Sequence, residues 1–581
     1  MKSTILKSGW RLAAMALTAC LAATANAAVP GISGTTFNLT AQTALLNQPD
    51  GEAVYSWGYG CASTTGITFL PAAIGGANCP MMQVPGPTLI VTEGQTVTVN
   101  LTNNLPAAVG NTSILFPGFT VTATGGVAGL LAQEAPPGVT VTYTFTASAP
   151  GTHAYYSGTQ GDLQVEMGLY GAVVVLPASV PANCANTSGY HALNLLAKKT
   201  WGETDFRLSQ AAYDHPGTCY DREYLFQWAE MDARIHKEAL AQVTALTGCT
   251  AGAAGCSLDV QTEPYHPAYF LINGRSMPDL MDPNFAPDYP HQPYNANPHM
   301  HLGELTLIRT IGQGRWQHPF HEHANHVRIL ARDGNLVLTP TAAACSTATA
   351  TAPVQGCVTY SSGLAADTPV TAPGLAGILM FNTDTTPGQA FDGIFYFTGR
   401  GLNWDAYAHH PGSPDPLAVL PCNPDVNGYN SGAPTAVNFM EWCQDHNKPI
   451  QANPFGDVPA GGPMTLPDPN VFTNGAWYGG SLYLGPDATL RGNAPACVGS
   501  PYGTPNPTTP SGGAGTPAVN TSNCTNLQPA NLQLNPANER GWAFMWHSHN
   551  EREITTNNVF PGGMLMMMLV DSREFVIDEH L

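Results

Sequence analysis

The sequence predicts an all-β chain built as two β-sandwich domains. Three observations carry that reading. Only 10% of the residues are charged, while the hydrophobic fraction is an ordinary 43%. Turn formers are abundant, with 60 Gly and 50 Pro in 581 residues. The apolar segments are short, rich in Val, Thr and Tyr, and several alternate at period two, as a half-buried strand requires. The formal net charge is −20, with 40 acidic against 20 basic residues. That argues against a nucleic-acid binder, which needs a basic surface, and against docking on an anionic membrane through a polybasic patch. Collagen, coiled coil and wholesale disorder are excluded by composition.

Residues 1–27 read as an export signal. Lys2, Lys7 and Arg11 precede an apolar run, Leu12 to Ala23, which is too short to span a membrane. Ala25-Asn26-Ala27 supplies a cleavage pattern, so cleavage is expected after Ala27. Leu17-Thr18-Ala19-Cys20 offers the alternative of a lipid anchor on Cys20. Either way the protein is expected in the periplasm, outside the cell or on its surface. No later segment is long and apolar enough to be transmembrane. Twelve of the 13 cysteines lie beyond the signal, and an even count in an exported chain suggests disulfides. Spacing suggests the neighbouring pairs Cys61–Cys79, Cys184–Cys219, Cys249–Cys256, Cys345–Cys357, Cys422–Cys443 and Cys497–Cys524. No CxxC motif is present, which argues against a zinc ribbon or thioredoxin-type site.

Strand-like runs fill residues 29–178. Thr88 to Val91 and Thr96 to Leu101 flank Glu93-Gly94, Val139 to Phe145 alternates, and Tyr170 to Leu176 reads as a buried strand ended by Pro177. Residues 179–264 read as a connecting segment, with a helix expected between Arg234 and Leu246 and Gly248 just beyond it. A second β domain, 265–581, is expected to begin near Tyr269. It continues through Leu305 to Arg309, Val327 to Leu330 and Ile394 to Phe397. Residues 411–535, rich in Pro, Gly, Asn and Thr, read as a loop-rich insertion. Strand is expected again at Gly541 to His549 and Met564 to Val570.

The chemistry is expected at the histidines. His318-Pro319-Phe320-His321-Glu322-His323 and Trp546-His547-Ser548-His549 each place two imidazoles on one face of a strand. If the strands pair, His321, His323, His547 and His549 converge, and four nitrogens suit copper or zinc. The alternative is a buried polar cluster without metal. His299 and His301, and His409-His410, are weaker pairs whose default is a loop contact. Met564, Met566, Met567 and Met568 read as a gap-filling strand, with copper(I) the alternative. Ser548 lacks the Gly-x-Ser-x-Gly elbow of a hydrolase.

At these residues the chain resembles the multicopper oxidases, which are built from cupredoxin β-sandwich domains. Gly86-Pro87-Thr88, Glu93-Gly94-Gln95, Pro150-Gly151-Thr152 and Gly168-Leu169-Tyr170-Gly171-Ala172 resemble the family's first domain. His318 to His323, Ala331-Arg332-Asp333-Gly334, and Trp546 to His549 with Gly563-Met564 beyond resemble its last. The resemblance implies two cupredoxin-like Greek-key sandwiches. It matches His321 to a type 2 copper ligand and His323, His547 and His549 to type 3 ligands, with His318 in the place of a type 1 ligand. The candidate metal residues are therefore His321, His323, His547, His549 and His318. Copper is the expected ion, and zinc or another divalent metal the alternative.

The departures from the family limit the chemistry. Ser548 stands where the blue-copper cysteine belongs, and Glu553 where the next histidine is expected. In the first domain, Leu115-Phe116-Pro117-Gly118 replaces His-x-His-Gly and Tyr156-Ser157-Gly158 replaces His-Ser-His, with His153 three positions early. Four-electron oxygen reduction fed by a blue copper is not supported. Two readings stand. One is an exported copper protein with a mononuclear His site and weak oxidoreductase activity, for which a small phenol or a metal ion is the implied substrate. The other is a non-catalytic cupredoxin scaffold that stores metal or supports an assembly. Glu322 and Glu551 are candidates for orienting the imidazoles, or are simply solvated carboxylates.

Overall fold

The structure is a computed structural model. It describes residues 29–71, 79–186, 189–339, 345–347, 354–360, 369–400, 407, 409, 421–446, 476–477, 480–483, 541–573 and 575–577. The export signal with Cys20, His410, the Cys497–Cys524 pair and most of the 411–535 insertion lie outside the described residues.

The first sandwich is two five-stranded sheets. Thr96–Asn103 and Thr140–Thr146 pair antiparallel, with Val97, Val99 and Leu101 opposite Phe145, Tyr143 and Val141. These six side chains are buried while their neighbours along each strand are not. That is the sequence alternation made physical. They pack on Leu89, Val91, Val173 and Val175 of the facing sheet. Tyr170–Leu176 is apolar on both faces because both are covered. Val173 and Val175 face this core, and Ala172 and Val174 pack with Leu225, Ile311 and Ala390 of the second sandwich. Tyr155 sits so close to Gly171 that a Cβ there would lie 2.4 Å from its ring, which explains the glycine in that motif.

The second sandwich combines a seven-stranded and a six-stranded sheet. In the first, Arg222–Met231 pairs parallel with Leu305–Gly312, which pairs antiparallel with Ala390–Tyr396. The other runs in the order His299–His301, Leu565–Asp571, Gly541–Ser548, His318–Glu322, Asn382–Thr385. Gly480–Tyr483 adds a further strand against Gly541–Ser548. Phe226, Trp228, Phe320, Phe395 and Trp546 fill the space between the sheets with Met564, Met566 and Met568. Met564, Met566 and Met568 are therefore core packing, while Met567 alternates to the other face of its strand and is half-buried.

The stretch 179–264, read as a connection, supplies the strand Arg222–Met231, all ten residues of which are buried. Its charged residues hid it, because each finds a buried partner. Arg222 meets Glu304 at 2.9 Å, Glu223 meets Arg309 at 3.0 Å and Glu230 meets His318 at 2.9 Å. The expected helix forms at Ala233–Ala245, with Asp232 accepting from the Arg234 amide at its start. A helix at Gly189–Thr200 was not anticipated. Five of the six expected disulfides are present: Cys61–Cys79, Cys184–Cys219, Cys249–Cys256, Cys345–Cys357 and Cys422–Cys443. Among the described residues no helix is long and apolar enough to cross a membrane.

Candidate metal centre

Strand pairing assembles the histidines. His318–Glu322 runs antiparallel to Gly541–Ser548 with His321 directly opposite His547. Period two sends Phe320 and Glu322 into the core and leaves His321 and His323 on the outer face. One ring nitrogen from each of His321, His323 and His547 lies within 4.8 Å of the others. The Nε2 atoms of His323 and His547 are 3.3 Å apart. Tetrahedral ligands at a metal–nitrogen bond of about 2.0–2.1 Å stand about 3.3 Å from one another, so this pair is spaced for one ion. The His549 ring is 4.7 Å from that of His321 but its side chain is 51% exposed, so it sits at the mouth.

The electrostatics favour the ligating form of the rings. Burial, reinforced by His323, His547 and His549, pulls the His321 pKa down to about 3. Burial also lowers that of His547. Neutral imidazole is the form that binds metal. His547 Nδ1 lies 2.6 Å from the Ser548 carbonyl oxygen. A carbonyl only accepts, so Nδ1 carries the proton and the Nε2 lone pair faces the cluster. Glu322 does not orient these rings. It is fully buried on the core face, takes a hydrogen bond from Thr383 Oγ1 at 3.3 Å, and burial pushes its pKa well up. Glu551 stands 3.9 Å from His549 Nδ1, and both groups are solvated.

His318 is separated from the other four. It shares the core face of its strand with Phe320 and Glu322. Its ring nitrogens lie 2.9 Å from Glu230 Oε2 and 2.9 Å from Glu553 Oε2. Ser548 Oγ donates to the same Glu553 oxygen at 2.5 Å. The residues at the family's type 1 positions thus converge, but on one another. Sequence reasoning missed Glu230; the only signal was a lone carboxylate at the end of an apolar run.

The first-domain positions also meet without ligands. Leu115 and Tyr156 form a two-residue bridge, and Phe116 packs on Phe145 with ring centroids 4.8 Å apart. Aromatic packing fills the place of the imidazoles. His153 is buried against Phe119 and the Ala149 carbonyl. His299 pairs with Asp571 at 2.7 Å and His301 with Glu203 at 3.3 Å. His409 is paired with Glu441.

A family model described as multicopper oxidase matches residues 81–179. An L-ascorbate oxidase of Brassica rapa subsp. pekinensis is 36% identical over 124 residues, 21% of either chain. The multicopper oxidase MCE of Talaromyces pinophilus is 35% identical over 118 residues, 19% of either chain. The chain thus matches these relatives over about a fifth of their length. Among solved structures, a blue copper oxidase from Nitrosomonas europaea aligns over 92% of this chain and 85% of that one, at 14% identity and a TM-score of 0.38. The chain thus carries, at residues 81–179, a segment that matches the multicopper oxidases, set within a β-sandwich fold.

Proposed function

We propose an exported, copper-binding, multicopper-oxidase-like protein with one mononuclear centre. Its ligands are His321, His323 and His547, with His549 at the mouth and His318 outside the set. In this reading residues 29–178 form one cupredoxin-like domain, and 265–581, interrupted at 411–535, form the other together with the strand Arg222–Met231 from the stretch 179–264. The observation that carries the proposal is the cross-strand pair His321 and His547 with His323, whose ring nitrogens converge within 4.8 Å. Bound copper supplies a one-electron couple and a Lewis acid. The chain itself keeps the rings neutral, fixes the His547 tautomer and leaves one side open at His549. Calorimetric titration with copper tests the site: the native protein binds about one ion, and His547→Ala/His549→Ala loses it.

The stripped first sandwich and the filled type 1 position favour a second reading, a scaffold that holds metal without turnover. The two separate on catalysis. Oxidation of a small phenol or a metal ion that disappears in His321→Ala supports an oxidoreductase. Copper binding with no such turnover supports the scaffold.

A further inference from the structure

We propose that the position at which the fold family keeps its blue copper is here a metal-free ionic clasp, in which a cationic His318 ring bridges Glu230 and Glu553 and so fixes the turn that carries His549. The charge follows from geometry. Both ring nitrogens lie 2.9 Å from carboxylate oxygens. An ionised carboxylate only accepts, so both nitrogens must donate, and a ring with two N–H groups is an imidazolium. Other donors fill the remaining lone pairs of both carboxylates. Glu230 Oε1 accepts from the amides of Arg315 and Trp316 at 2.7 and 2.8 Å, with Tyr265 Oη 3.1 Å away. Glu553 accepts from Ser548 Oγ at 2.5 Å and Asn550 Nδ2 at 2.8 Å.

The clasp is closed on every side. Trp228, on the same strand as Glu230, packs beside the His318 ring with centroids 6.5 Å apart. Thr385 Oγ1 donates to the His318 carbonyl at 3.0 Å. Behind Glu230, the Tyr265 hydroxyl donates to Glu166 at 2.6 Å, and Arg315 covers the Tyr265 ring. His318, Glu230 and Glu553 are almost completely buried. A copper ion here would have to expel a ring proton and break the Ser548 and carboxylate bonds, and a serine hydroxyl is a poor replacement for a thiolate. The blue site does not fit these residues. Burial alone pushes the His318 pKa down, but the hydrogen bonds and charges of Glu230 and Glu553 outweigh it and hold it up at about 9.

The clasp has a positioning role. It joins Arg222–Met231 of one sheet to His318–Glu322 of the other and to the turn 549–553. Within that turn Glu553 N donates to the Asn550 carbonyl at 2.8 Å and Asn550 N to Ser548 Oγ at 3.2 Å. His549 N donates to the Pro319 carbonyl at 2.8 Å. Glu553 is thus a positioning residue for His549; that consequence rests on the metal-binding reading, whereas the clasp does not.

The test uses metal-free protein first. Histidine ring 15N NMR at pH 7.5 should show a doubly protonated imidazole that is absent in His318→Gln and shifted in Glu553→Gln. The melting temperature at pH 7 should fall by on the order of 5–10 °C in either variant. The native protein should lose stability as pH rises through about 9, and His318→Gln should not. A neutral His318 ring in the native protein, or an unchanged alkaline transition in His318→Gln, overturns the clasp; if the variant does not fold, the native NMR spectrum alone decides. Copper titration then reads the positioning role: Glu553→Gln should bind roughly 10-fold more weakly, and equal affinity refutes it. A native protein that binds no copper removes the metal reading and leaves the clasp to the first measurements.

Discussion

Glu304→Gln removes one charge and almost no volume from the most heavily charged part of the interior. Glu304 is fully buried. Its Oε2 takes hydrogen bonds from Arg222 Nε and the His301 amide, both at 2.9 Å, and its Oε1 lies 3.2 Å from Lys198 Nζ. Glu203 grips the far side of Arg222 at 2.7 Å. The glutamine keeps the shape, but leaves two buried cations sharing Glu203. Breaking a buried ion pair from one side costs about 3–5 kcal/mol, a large part of the 5–15 kcal/mol typical of folded proteins. The pH dependence has a definite sign. Burial pushes both carboxyls up, yet Arg222, Lys198 and His301 outweigh it, so Glu304 is held well below the usual range and Glu203 at about 2. Groups with depressed folded values add stability above the ordinary carboxylate pKa and lose it as pH falls through the folded one. Urea unfolding of the native protein should therefore weaken steeply from about pH 4.5 towards 2. Glu304→Gln should be less stable by about 3 kcal/mol at pH 7 and show a shallower acid slope. A loss below about 1 kcal/mol with an unchanged slope refutes the reasoning.

Four further variants have expected outcomes. Asp392→Asn should cost about 2–4 kcal/mol in urea unfolding, because Asp392 accepts from Thr152 Oγ1 at 2.6 Å and Tyr213 Oη at 2.5 Å and lies near the buried Arg309. Trp546→Ala should cost about 3–5 kcal/mol, since the indole is fully buried 4.9 Å from Phe395. Trp546→Phe should cost less yet weaken copper binding, as it deletes the 3.1 Å bond from the indole N–H to the His323 carbonyl. His153→Ala should leave the copper content unchanged by elemental analysis, because its ring is packed on Phe119 and bonded to the Ala149 carbonyl.

Much of the fold was legible because period two is imposed by burial. Thr96–Asn103 and Thr140–Thr146 alternate in sequence and alternate in the sandwich. Five disulfides followed from spacing alone. Arg222–Met231 was not legible, because partners remote in sequence neutralise its charges. The His-x-His motifs announced a shared face, and the register that sets His321 against His547 completed it. The same alternation already separated His318 from His321, since an odd spacing points the two rings to opposite faces. Glu230 lay beyond reach: nothing local shows that a carboxylate 88 residues away in sequence faces His318.

The most direct test of a single histidine-bound centre is metal content with the visible spectrum of the protein after copper loading. About one copper per chain, no intense blue thiolate band, and loss of the metal in His547→Ala/His549→Ala are expected. Three or four coppers per chain, a blue band, or no stoichiometric metal would contradict a single histidine-bound centre.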